Sequence, residues 1–89
     1  MEEDVFEKLR AQLELEEWPN VYFFKFIVPN TPENMAKTIA LFDENSDLKF
    51  HESSNANFVS VSVKEMMLNA DSIIEVYKKA KEIPGIISL

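Results

Sequence analysis

Apolar residues at the start of the chain recur at four-residue steps, Val5, Leu9 and Leu13, with Phe6 beside them. That is the spacing of a helix with one greasy face. Glu2, Glu3 and Asp4 fill its first turn, where the helix dipole favours negative charge. The pattern predicts an amphipathic helix over residues 2–16, ended by Glu16-Glu17-Trp18-Pro19-Asn20 because proline disfavours helical geometry in the residue before it. The period then changes. Val21 to Val28 is β-branched and aromatic almost throughout and predicts a strand, stopped by Pro29-Asn30.

Thr31-Pro32-Glu33 opens a second helix: the threonine hydroxyl can cap free amides, the proline has its φ preset and the glutamate complements the dipole. Its apolar stripe is Met35, Ile39 and Phe42 with Ala36 and Ala40, and polar turn formers at 43–46 are expected to end it. Leu48 to Glu52 and Phe58 to Val63 alternate as two strands, joined through the polar Ser53-Ser54-Asn55-Ala56-Asn57 as a hairpin. Asn69 or Asp71 can cap a last helix on which Ile73, Val76, Tyr77, Ala80 and Ile83 face one way; Pro84-Gly85 is expected to stop it, and Ile86 to Leu89 to form a short final strand.

After the leading helix the order is therefore β-α-β-β-α-β, the split arrangement of an α+β ferredoxin-like sandwich. Right-handed crossovers place the strands of its antiparallel sheet in the order 4-1-3-2. The chain is one domain, with a helix at 1–17 and the βαββαβ core at 18–89.

Alternation assigns Tyr22, Phe24, Phe26 and Val28 to one sheet face, with Val59, Val61, Val63, Leu48 and Phe50, beneath the two later helices. Val21, Phe23, Lys25, Ile27, Lys49, His51, Phe58, Ser60 and Ser62 then share the other face, which is half apolar. A broad apolar patch calls for a cover. Three covers fit: the N-terminal helix folding back with Val5, Phe6, Leu9 and Leu13, a second copy of the chain, or another protein or ligand.

Composition narrows the chemistry. The 89 residues carry 16 acids, 9 bases, one histidine, one glycine and no cysteine, for a net charge of −7. Without cysteine there is no disulfide, thiolate metal site or cysteine nucleophile. Residues 1–17 hold −5 of the charge, an acidic start opposite to a secretory signal, so a cytoplasmic protein is expected. No membrane-length apolar run exists, and the net acidity argues against nucleic acid. RNA-recognition domains share this topology, but the residues around Phe58 lack the basic and glycine signature.

The only arginine, Arg10, lies in the leading helix, away from any phosphate-cradling loop, and one glycine cannot make a nucleotide loop. His51 lacks a second histidine or cysteine for a metal site, and the serines lack a base and an orienting group. The expectation is no catalytic, cofactor-binding or metal residues, and a protein that is not an enzyme.

Trp18-Pro19, the aromatic first strand ending in Lys25-Phe26-Ile27-Val28, the Ser53-Ser54 turn before Phe58 to Val63, and the Ile73 to Tyr77 helix closing on Ile86 to Leu89 together resemble the YbeD-like family of bacterial proteins of unknown function. Typical members carry a lysine–glycine pair just before the third strand, where this chain has Asn55-Ala56. The resemblance implies a ferredoxin-like domain shaped like ACT regulatory domains, which pair their sheets and bind small molecules, often amino acids, at the interface. Two expectations follow. The first is a regulatory or protein-interaction module using Val21, Phe23, Ile27, Phe58, Ser60 and Ser62, with an unknown protein partner or a second copy. The alternative is an ACT-like sensor binding a metabolite at a dimer interface near Thr31, Glu33 and Asn34, where helix amides could meet a carboxylate.

Overall fold

The computed structural model describes residues 2–89, with side chains from Val5 onward; Met1, and the first-turn side chains of Glu2, Glu3 and Asp4, lie outside the described set. The elements run α1 (Glu2–Leu13), β1 (Asn20–Pro29), α2 (Pro32–Ile39), β2 (Lys49–Glu52), β3 (Phe58–Met67), α3 (Ala70–Ala80) and β4 (Ile87–Ser88). The four-stranded sheet has the order β2-β3-β1-β4, antiparallel at every pairing. This is the expected α+β ferredoxin-like arrangement with its leading helix.

The caps explain where the helices begin. Thr31 is extended, and its hydroxyl accepts from the Asn34 amide at 3.1 Å, with Pro32 at the first helical position. At α3 the choice between Asn69 and Asp71 falls to Asn69, whose side chain accepts from the Ser72 amide at 2.8 Å in a reciprocal capping box. Asp71 serves elsewhere. Its carboxylate takes a 2.8 Å hydrogen bond from Arg10 Nε, tying α1 to α3, and this bond raises the arginine's already high pKa.

Several boundaries differ from the sequence expectation. The leading helix stops at Leu13, and Leu15 stands 87% exposed: the Trp18 indole donates to the Leu13 carbonyl at 2.8 Å and seals that end. Helix α2 ends at Ile39 rather than at 43–46, while Phe42 still reaches the core from the following turn. Strand β3 runs on to Met67, past Val63, because β1 pairs with it along its whole length, from Asn20↔Met67 to Pro29↔Phe58. Helix α3 stops at Ala80, before Pro84-Gly85, where the Lys81 amide closes onto the Tyr77 carbonyl. Gly85 has φ +73°, and a Cβ there would sit 2.7 Å from Pro29 Cγ, so glycine lets the returning chain press against the end of β1.

The core lies between the sheet and its helices. Phe24 and Phe26 are 0% exposed and pack with Phe42 and Tyr77, ring centroids 5.3–6.4 Å apart. Leu13, Val63, Ala70, Ile73, Ile74 and Ala80 complete this cluster, and Val28, Val59, Val61 and Ile83 form a second. Phe50 was expected beneath the helices. It shares their face, opposite Val61, yet is 48% exposed because β2 is a four-residue edge strand exposed throughout.

Candidate functional site: an open basic sheet face and an edge cleft

The first of the three covers is excluded by where α1 goes. Its Leu13 is buried in the main core, with Phe6 and Leu9 packed alongside, and its partner is α3. Helix α1 thus extends the layer on the covered side, and the opposite face of the sheet is left open.

Registers fix what that face presents. Val21 lies opposite Met66, Phe23 opposite Lys64, Lys25 opposite Ser62 and Ile27 opposite Ser60, with Phe58 across from Pro29. Lys49 and His51 extend the row across β2, and Ile87 extends it across β4. Val21, Phe23, Phe58, Met66 and Ile87 are all exposed, Phe23 at 51% and Phe58 at 43%. Between them stand Lys25, Lys49 and Lys64, and no strand position on this face is acidic. Glu52 and Glu65 belong to the other face, opposite Val59 and Tyr22. Asp47 touches the margin, 3.5 Å from Lys49 in an exposed pair. A chain of net charge −7 therefore carries its acids elsewhere and presents a cationic, apolar sheet.

The structure brings the six expected face residues together but spreads them. Phe23 and Phe58 lie at opposite ends of the β1–β3 ladder, six register positions apart. At the Phe23 end there is a notch of about 210 Å³ lined by Phe23, Asp47, Lys49, Ser62, Val63 and Lys64. Lys49, Lys64 and Met66 were not among the expected interaction residues; alternation in β2 already puts Lys49 on this face, and alternation along β3, which runs to Met67, adds Lys64 and Met66.

Of the candidate ligand-loop residues Thr31, Glu33 and Asn34, the first and last have local partners. The Thr31 hydroxyl is spent on its cap. Asn34 is buried, and its side-chain amide donates to the Pro29 and Pro84 carbonyls, both at 3.2 Å, joining the end of β1 to the segment before β4. Glu33 stands exposed in the first turn.

A larger hollow lies on the covered side, at the β4 edge. About 670 Å³ is bounded by Val5, Phe6, Leu9, Tyr22, Tyr77, Lys81, Ser88 and Leu89. The Tyr22 and Tyr77 hydroxyls hydrogen-bond to each other there at 2.9 Å. Burial, aided by that bond, pushes the Tyr77 pKa upward. Lys78 and Lys81 lie over the Phe6 ring, 5.9 and 5.6 Å from its centroid. No sequence spacing marks this place, because it joins residues 5–22 to residues 77–89.

Among the described residues no group of three or more histidine, cysteine or acidic side chains comes together as a metal site, and no helix is long and apolar enough to cross a membrane. No curated protein and no solved structure matches the chain. A family model does match, across the strands and helices of the βαββαβ core: with residues 13–89 covered, the chain belongs to DUF493, a family of proteins of unknown function.

Proposed function

We propose that this chain is a non-catalytic regulatory module whose open sheet face docks a protein partner presenting acidic residues around an apolar centre. The observation that carries this reading is the sorting of charge. Exposed Val21, Phe23, Phe58, Met66 and Ile87 share a face with Lys25, Lys49 and Lys64, against the net charge of the rest of the chain. An uncovered apolar patch of this kind marks an interaction site, and an aromatic residue beside a notch is the sort that dominates interface energy. Two copies meeting face to face would set lysines against lysines, so the charge pattern favours a different, acidic partner over self-pairing. His51, the only histidine, is exposed on the edge strand β2.

The test compares affinity capture from native cells by the wild-type chain, by Phe23→Asp, and by a Lys25→Glu/Lys49→Glu/Lys64→Glu triple variant. Each is first shown to be folded by circular dichroism. The expected result is an acidic protein retained by wild type, released by salt, unaffected by nuclease, and lost with both variants. The reading is wrong if both folded variants retain the same proteins, if retention depends on nucleic acid, or if size-exclusion chromatography shows wild-type dimers that Phe23→Asp dissociates.

A further inference from the structure

The open face ends at β2, where the hydrogen bonding of the sheet is unfinished. β2 pairs one-to-one with β3, from Lys49↔Ser62 to Glu52↔Val59, and the sheet has no strand on its other side. The ladder gives the direction of each backbone group. The Ser53 amide donates to the Phe58 carbonyl at 2.9 Å, and bonded pairs alternate along an antiparallel ladder. Lys49 and His51 therefore turn their N–H and C=O groups toward β3, and Phe50 and Glu52 turn theirs outward. All four residues are exposed. Neither proline nor a bulge, two of the devices that block strand addition, interrupts this edge.

We propose that the acidic partner engages as an extended segment that adds to β2 as a fifth, antiparallel strand, with acids opposite Lys49 and His51 and an apolar residue opposite Phe50. This rests on the open-face reading for the partner's charge, and the edge supplies the mode of binding. In such additions main-chain bonds give affinity and alternate side chains give specificity. Directly opposed residues share a face, so an acid opposite Lys49 lies on the side that also carries Lys25 and Lys64. Asp47 already pairs with Lys49 at 3.5 Å, but the two side chains are 85% and 75% exposed, and an incoming carboxylate displaces so exposed a partner at little cost. On the other side, Phe50 offers a half-exposed ring to a β-branched neighbour. A second copy fits this edge less well. Lys49 and Glu52 lie on opposite faces, so no antiparallel pairing of two β2 strands sets one against the other, and pairing centred on Phe50 sets Lys49 against His51.

The probe is the peptide acetyl-Thr-Lys-Glu-Val-Asp-Val-Thr-amide, whose first valine falls opposite Phe50, its aspartate opposite Lys49 and its lysine opposite Glu52. It is titrated to millimolar concentration into the full-length chain while backbone amide resonances are followed by NMR. Saturable shifts are expected in residues 49–52. N-methylation of the valine opposite Phe50 removes a bond to β2 and should weaken binding at least fivefold, about the worth of one hydrogen bond; N-methylation of the aspartate, whose N–H points away from β2, should change it little. A peptide with lysine in place of both acids should also bind at least fivefold more weakly. In the protein, Glu52→Pro removes an outward N–H without breaking a bond to β3, and should bind at least fivefold more weakly than Glu52→Ala. The proposal is overturned if the parent peptide does not bind or shifts residues away from β2, if either N-methylation has the same effect as the other, or if the lysine peptide binds as well. It is also overturned if folded Glu52→Pro binds like Glu52→Ala, or if size-exclusion chromatography shows a wild-type dimer that Glu52→Pro dissociates. Capture from cells separates the two readings: an acidic protein lost with Phe23→Asp but retained by Glu52→Pro would leave the open face as the docking surface and overturn strand addition.

Discussion

The two faces of the sheet are made by the same two central strands with the same alternation, yet they have opposite fates. Phe24 and Phe23 are neighbours in sequence; the first is fully enclosed by α3 and the turn after α2, and the second stands half in water. The helices decide the difference. All three lie on one side of the sheet, so an aromatic there serves stability and an aromatic on the other side is free to serve contact. The most direct way to break this comparison is to truncate both positions. Phe24→Ala should cost about 3–5 kcal/mol, the range for emptying a buried phenylalanine site. Phe23→Ala should stay within about 0.5 kcal/mol of wild type, as exposed substitutions do. Urea unfolding of the two variants measures both; similar losses would mean that something in the free chain covers the open face.

Much of this was legible in the sequence. Period-2 alternation at Tyr22 to Val28 and Val59 to Val63 placed the core face correctly, since side chains on a strand have no choice but to alternate. The position of α1 was not legible: its stripe of Val5, Leu9 and Leu13 says only that one side is greasy, and both the open face and α3 could have received it. Arg10 with Asp71, 61 residues apart, and Trp18 folded onto the Leu13 carbonyl settle the matter in three dimensions. The cleft was invisible for the same reason, because Tyr22 and Tyr77 meet across 55 residues. The open face was legible in the sequence with Lys25 and Lys49 already on it; the registers added Lys64 and Met66 and put Glu52 and Glu65 on the other side.

The connections at the two edges of the sheet sharpen the comparison, because each holds an outer strand in place. Gly85 has a positive φ and no room for a Cβ beside Pro29. Gly85→Ala should therefore lose about 1–3 kcal/mol, the cost of a strained backbone position held in place by its surroundings. The β2–β3 hairpin shows the converse. Ala56 takes φ +59° in a turn held by the Ser53 hydroxyl and by Asn30, whose side-chain amide donates to the Ala56 carbonyl at 2.9 Å. Glycine adopts that conformation without strain. Ala56→Gly should gain about 0.5–1 kcal/mol, the left-handed penalty less glycine's greater entropy cost. Thermal melts of the two variants should move in opposite directions, and a shift of the same sign would show that space rather than φ governs both turns.

A further effect separates the faces by chemistry rather than by volume. On the open face a polar group meets water, whereas on the covered face it must find a partner, and Tyr77 has found Tyr22. Tyr77→Phe keeps the ring contacts to Phe24 and Phe26 and removes one hydrogen bond, so near neutral pH it should cost about 1 kcal/mol. Alkali gives the sharper test. Burial raises the Tyr77 pKa in the folded chain above the ordinary value near 10, so the fold favours the neutral phenol. That contribution is fully present below about pH 10 and is lost as pH climbs beyond it, because the unfolded chain then releases a proton that the folded chain retains. The wild type should consequently lose stability more steeply than Tyr77→Phe between about pH 10 and 11.5, and the two melting curves should converge. Parallel curves over that range would place the Tyr77 hydroxyl in water, and the floor of the cleft would then be wetter than the packing around it indicates.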